Sequence, residues 1–204
     1  MKSYPSIDRD VRNIFVYAFD KIDGSNIRAE WTSKKGFDKF GSRNCLMDSS
    51  HPHLGDAIGI IKTKYERDLH DIFKRERFEK ATAFFEYYGE NSFAGTHILD
   101  EPHDLKLIDV DVLKKGMIFP KQYLKLFGDL DIASLVYEGN CNQPFVQSVK
   151  DGTCEGITFE GTVCKSREVD KYGHPIMFKV KSLAWIEKLK QHCKGDDKLF
   201  EQLL

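Results

Sequence analysis

Two β-forming runs stand almost back to back near the start of the chain, and they narrow the choice of fold more than any other feature. Ile14 to Phe19 (IFVYAF) is unbroken apolar and aromatic sequence, the pattern of a buried strand. Asn26 to Trp31 alternates Ile27, Ala29 and Trp31 with polar neighbours, the pattern of a strand with one wet face. Between them lies the glycine-containing turn of KIDGSN, so the pair predicts a hairpin with Lys21 at its tip. Further strands are expected at Thr82–Tyr88, Leu105–Val112, Gly156–Cys164 and Ile176–Val180. From Asp56 to Arg77 the period changes: Ile58, Ile61, Tyr65, Leu69, Ile72 and Phe73 recur three or four apart, as on one long amphipathic helix. A short helix is expected at Pro120–Phe127, and a helical tail from Leu183 with a break at Gly195. Strands and helices mix without strict alternation, which predicts an α+β fold, mainly antiparallel. No repeat or Pro/Gly-rich linker divides the chain, so residues 1–204 are expected to form one domain.

Composition bounds the function classes. The chain has 204 residues with 31 Lys plus Arg against 32 Asp plus Glu, a net charge of −1. That balance argues against a polybasic binder driven by bulk charge, although a local basic face fits within it. No apolar run reaches the roughly 20 residues of a membrane helix. The N-terminus MKSYPSIDRD lacks the apolar core of a signal peptide. Five cysteines, scattered and without a CxxC pair, point away from a disulfide scaffold and towards a reducing, cytoplasmic setting.

Four short segments carry candidate chemistry. A lysine in a tight turn between buried strands can be desolvated, which frees its amine as a nucleophile, so Lys21 stands first. Gly24 lets the backbone approach a ligand closely. Phe84-Phe85-Glu86-Tyr87-Tyr88-Gly89 sets a carboxylate inside an aromatic strand, where it is costly unless it meets a cation or hydrogen bonds. Cys154-Glu155-Gly156-Ile157-Thr158-Phe159 places an acid at an expected strand start. Lys179 and Lys181, two apart, share one strand face. Each has an ordinary reading too: a solvated tip, an edge carboxylate, a turn acid, a wet strand face. Lys34, Lys35, Lys39 and Arg43, interleaved with Phe37 and Phe40, suggest a nucleic-acid contact face or a solvated loop.

Taken in order, these segments resemble the covalent nucleotidyltransferases, a superfamily of ATP-dependent DNA and RNA ligases and mRNA-capping guanylyltransferases. KIDGSN resembles motif I, FFEYYG motif III, LKLIDVDV motif IIIa, EGITFEG motif IV and MFKVKS motif V, over about residues 14 to 190. Ser-Asn after the glycine is most similar to the RNA ligases of the nick-sealing and editing type. The resemblance implies a nucleotidyltransferase (ATP-grasp-like) domain of two mainly antiparallel sheets with flanking helices and the nucleotide between them. It implies that Lys21 attacks the α-phosphate of ATP and carries AMP, which then passes to a 5′-phosphate end for attack by a 3′-hydroxyl. Glu86 would bind the ribose, Glu155 the divalent metal (Mg2+ or Mn2+), and Lys179 and Lys181 the α-phosphate. Ile22, Asn26, Arg43 and Ile108 complete the implied nucleotide site. The implied partners are RNA ends, nicked duplexes among them, and a monomer with no membrane association is expected.

The match has departures. The family usually stacks an aromatic ring on adenine from motif IIIa, where this chain has Ile108 before Asp109. Only 23 residues follow Lys181, so an oligonucleotide-binding barrel of the kind in DNA ligases and capping enzymes is not expected within this sequence. A GTP-using capping enzyme, a DNA ligase and a non-catalytic nucleotide or RNA-end binding module are the alternatives.

Overall fold

The computed structural model describes residues 1–89, 102–171 and 173–204. Among the described residues ten strands form two sheets. The first contains β1 (Phe15–Asp20), β8 (Leu135–Asn140), β9 (Gly161–Val169) and β10 (Pro175–Lys181), in the order β10-β9-β1-β8. The second contains β2 (Ser25–Thr32), β3 (Gly36–Ser42), β4 (Leu46–Met47), β5 (Lys80–Tyr88), β6 (Asp104–Val112) and β7 (Gly116–Met117), in the order β4-β3-β2-β5-β6-β7. Every pairing between these strands is antiparallel. The architecture is the α+β class expected from the sequence.

The expected helix at 56–77 is α1 (Asp56–Ile60), a π-helical turn (Ile61–Tyr65) and α2 (Glu66–Arg75) in direct succession. Its apolar stripe packs on one face of the six-stranded sheet, where Ile27, Ala29, Trp31, Ala83, Phe85 and Leu107 are fully buried. In β6 the register breaks opposite Phe84 and Phe85, which pair with Asp109 and Leu107 and leave Ile108 as the extra residue. Leu107 and Val110, three apart, can therefore both be buried in the core, while Ile108 is only half-buried and packs against its edge. Helix α3 (Pro120–Phe127) closes this core with Tyr123 and Phe127, while α4 (Gln143–Lys150) covers the outer face of the four-stranded sheet. Helices α5 (Leu183–Cys193) and α6 (Asp197–Leu203) form the tail, broken at Gly195 as expected.

Strand β1 serves both cores: Tyr17 and Phe19 point into the larger one, Val16 and Ala18 into the smaller. That placement corrects the hairpin expected at Lys21. A hairpin needs a free edge on each strand, but β1 is flanked by β8 and β9, and β2 by β3 and β5. The segment 21–24 therefore crosses from one sheet to the other. The strand expected at Gly156–Cys164 begins only at Gly161, and the residues before it form a loop. Strands β3 and β8 and helix α4 were not anticipated. Among the described residues no helix is long and apolar enough to cross a membrane.

Candidate active site

The crossing fixes Lys21 at the junction of the sheets. Its backbone N–H donates to the Gly161 carbonyl at 2.9 Å, tying it to the start of β9. Gly24 packs flat on β5, and a Cβ there would overlap the Tyr87 carbonyl, so a side chain is excluded by contact. Between the sheets lies a groove of about 940 Å3, and Lys21, Ile22, Asp23 and Gly24 form part of its wall.

One bank comes from the four-stranded sheet. Lys181 pairs with Gly161, and two rungs along the ladder Lys179 pairs with Val163, itself opposite Phe19. The acid at the centre is Glu160, which is 3% exposed. Its Oε2 accepts from Lys21 Nζ at 2.8 Å and its Oε1 from Lys181 Nζ at 3.0 Å. Asp20 steadies the loop that delivers Glu160, accepting the Thr158 N–H at 2.9 Å, and the Glu160 carbonyl accepts from Ser182 N–H at 3.0 Å. Lys179 Nζ donates to the Leu204 carbonyl at 2.8 Å, and Lys181 lies over the Trp185 ring.

The other bank comes from the six-stranded sheet. Glu86 and Asn26 are paired residues of β5 and β2, and both line the groove. The Asn26 Oδ1 is buried and finds no hydrogen-bond partner among the described residues, so this wall holds an acceptor that a ligand could satisfy. Arg43, just past β3, also lines the groove.

Charge in the groove is held away from its resting values. Burial alone would lower the Lys21 pKa, but Glu160, Glu86 and Asp23 outweigh it and hold the amine protonated above the usual lysine range. Lys179 and Lys181 go the other way. Burial, with Lys21 as a like-charged neighbour, lowers each to about 8, against the pull of Glu160. Burial pushes the Glu86 carboxyl up to about 8, with the nearby Lys21 charge opposing.

A second, less polar end lies further along β9. Phe19, Ile108, Ala133 and Val163 line it, together with Tyr4 and the ammonium of Lys165. Lys165 is bound to Asp109 Oδ2 at 2.8 Å and to the Ile108 carbonyl at 2.6 Å.

No family model and no curated protein matches the chain by sequence. Solved structures do match by shape. A glutamate-to-alanine variant of Naegleria gruberi RNA ligase with AMP and Mn superposes with a TM-score of 0.64 at 13% identity, covering 92% of this chain and 58% of that one. An archaeal ATP-dependent RNA ligase gives 0.64 at 13%, over 95% of this chain and 52% of that one. Naegleria gruberi RNA ligase with PPi gives 0.61 at 16%, over 88% and 53%. The fold is that of the ATP-dependent RNA ligases. The chain thus spans little more than half the length of those proteins.

Within this RNA-ligase fold, the groove gathers Lys21, Ile22, Asn26, Arg43, Glu86, Ile108, Lys179 and Lys181, all expected from the sequence. It does not gather Glu155, which is exposed on the loop before β9 and lines no part of the groove. Glu160 stands where Glu155 was expected. EGITFEG contains two Glu-Gly pairs, and the later one directly precedes the true strand. In the basic cluster, Phe37 is buried in the core and offers no contact surface, whereas Phe40 is half-buried against it. Sequence reasoning missed Glu160, Asp20, Lys165, Tyr4 and Arg9 as groove residues. For Glu160 a signal existed in the second Glu-Gly pair; for Tyr4 and Arg9 none did.

Proposed function

We propose that this chain is an ATP-dependent RNA ligase that adenylylates itself on Lys21. The observation that carries the reading is the ion-paired trio Lys21–Glu160–Lys181, with Lys179 and Glu86 in the same groove between two sheets. The Lys21 amine would bond to the α-phosphorus of ATP while the bond to the bridging oxygen breaks. Pyrophosphate would leave, and the amine would lose its proton to give a phosphoamide. A 5′-phosphate oxygen of an RNA end would then displace Lys21 from that phosphorus. A 3′-hydroxyl would finally attack the activated end and expel AMP, forming the phosphodiester.

Each residue has work suited to its chemistry. Lys179 and Lys181 would hold the α-phosphate oxygens and offset charge that grows there in the transition state. Glu86 and the unpartnered Asn26 oxygen would accept from the ribose hydroxyls. Magnesium is held through one or two carboxylates plus substrate phosphates, and Glu160, buried in the groove wall, would supply such a carboxylate. Glu160 would hold the ion, which when bound supplies screening of the phosphate charge. Once Glu160 is engaged elsewhere, burial acts on Lys21 with one less carboxylate to oppose it, and the amine deprotonates more readily.

The test is to incubate the protein with magnesium and α-labelled ATP or GTP. Acid-labile, alkali-stable label from ATP that vanishes in Lys21→Ala is expected. Label from GTP alone would favour capping chemistry, and no label with either would favour a binding module.

A further inference from the structure

The segment before β1 acts as a strap across the groove. Ser3 Oγ accepts from Arg28 on the six-stranded sheet at 2.7 Å, and the Asp8 carbonyl accepts from the Lys179 N–H on β10 at 2.9 Å. Between these two clips, Tyr4 turns into the apolar end of the groove, its ring edge against Phe84 at 5.1 Å. The adenylylation chemistry has no use for this residue.

The direction of the Tyr4 hydrogen bond is decided by its surroundings. Its hydroxyl lies 2.5 Å from Asp109 Oδ2, the same oxygen that meets Lys165 Nζ at 2.8 Å. Asp109 and Lys165 are 1% and 5% exposed, a buried ion pair, and an ionised carboxylate has no proton to give. The ammonium is held in turn by the Ile108 carbonyl and lies 4.7 Å from the centre of the Phe19 ring. The phenol must therefore be the donor to Asp109, and what its oxygen can still offer the groove is lone pairs. Burial and the Asp109 charge raise the Tyr4 pKa well above its usual value, so the proton stays in place.

We infer that Tyr4 reads position six of the purine: its oxygen, with the proton pinned on Asp109, accepts from the amino group of adenine and repels the carbonyl oxygen of guanine. This inference rests on the groove being a site for a nucleoside triphosphate, the reading proposed above. An acceptor fixed in orientation distinguishes the two bases through one atom, because adenine presents a donor where guanine presents an acceptor.

The experiment measures self-labelling at several concentrations of ATP, GTP and purine riboside triphosphate, which carries hydrogen at position six. It uses the wild-type chain, Tyr4→Phe and Tyr4→Leu. In the wild type, loss of the amino group is expected to raise KM about tenfold with little change in kcat, the cost of one hydrogen bond in a shielded site. In Tyr4→Phe, which deletes one oxygen and keeps the ring against Phe84, that penalty should fall to about twofold or less. Tyr4→Leu makes the same prediction without the ring and serves if Tyr4→Phe does not fold. An equal penalty with and without the hydroxyl overturns the inference, as does a wild type that uses purine riboside triphosphate as well as ATP or prefers GTP. Absence of label from every nucleotide in the wild type would instead defeat the nucleotidyltransferase reading itself.

Discussion

The two faces of the six-stranded sheet are made by the same strands, yet they are stabilised in opposite ways. On the helix side Ile27, Ala29, Trp31, Ala83, Phe85 and Leu107 are fully buried among apolar neighbours, and each buried group adds to stability. On the groove side the alternate positions are Asn26, Arg28, Glu30, Thr82, Phe84, Glu86 and Asp109, most of them buried and all but Phe84 polar. The polar groups contribute nothing by burial and depend on partners: Arg28 on Ser3, Glu30 on Lys39 and Lys80, Asp109 on Lys165 and Tyr4. Glu86 and Asn26 are the least well served, the one with its carboxyl pushed up to about 8 and the other with an unpaired oxygen. The period-two alternation of a strand thus sorts this sheet into a face that folds the protein and a face that is held ready for a ligand.

Substitutions on the two faces should therefore separate stability from activity. The largest effect belongs to the core face: Phe85→Ala is expected to destabilise the chain by about 3–5 kcal/mol in urea unfolding, through the cavity it leaves. An unchanged midpoint would show that the packing assigned to β5 is wrong. Next comes the acid of the groove. Glu160→Ala should cut self-labelling by about 100-fold or more, whereas Glu155→Ala should leave it unchanged. The reverse ranking would restore the earlier of the two Glu-Gly pairs as the working acid.

A smaller effect of opposite sign is expected at Glu86. Its folded pKa of about 8 exceeds the ordinary 4.5, so the folded state holds the proton more tightly than the unfolded one. Its stabilising contribution is complete below about pH 4.5 and is lost as pH rises to about 8. Glu86→Gln should therefore melt above the wild type at pH 8, by about 2–4 °C for each kcal/mol regained, with the advantage shrinking towards pH 4.5 while nucleotide binding weakens. A melting difference independent of pH would refute the assignment. The smallest effect concerns the two groove lysines, which lose their charge above about pH 8 in the free protein. Calorimetric binding of a non-cleavable α,β-bridged ATP analogue to the wild-type chain should weaken from pH 7.5 to 9 by a few-fold, with proton uptake on binding. A flat profile would remove both lysines from the phosphate site.

Much of this fold could be read from the sequence because its strands carry strong local patterns. Helix 56–75, strands β1, β2, β5, β6 and β10, and helix α3 all follow from periodicity. The pairing of strands could not be read in the same way. Adjacent strands with a short turn suggest a hairpin, and nothing local announces that both edges of β1 are taken by the distant β8 and β9, or that β2 pairs with the following β3 and the distant β5. The shift of β9 by five residues has a similar cause. Gly156-Ile-Thr-Phe reads as well as a strand as Gly161-Thr-Val-Cys, and the choice falls to the ladder with β1 and β10, which starts at Gly161 and Thr162. Of the site, the residues inside strong motifs were legible. Tyr4 and Arg9 were not, because they reach the groove only through contacts distant in sequence.

Lys21 stands where the chain steps from one sheet to the other, yet its anchors lie on one side: the Gly161 carbonyl, the Glu160 carboxylate and, through it, Lys181. In any breathing of the two sheets, nucleophile, acid and phosphate-binding lysine would travel as one rigid group. Glu86 and Asn26 would ride on the opposite wall. The groove can then widen to admit or discharge cargo while the reacting groups keep their mutual distances.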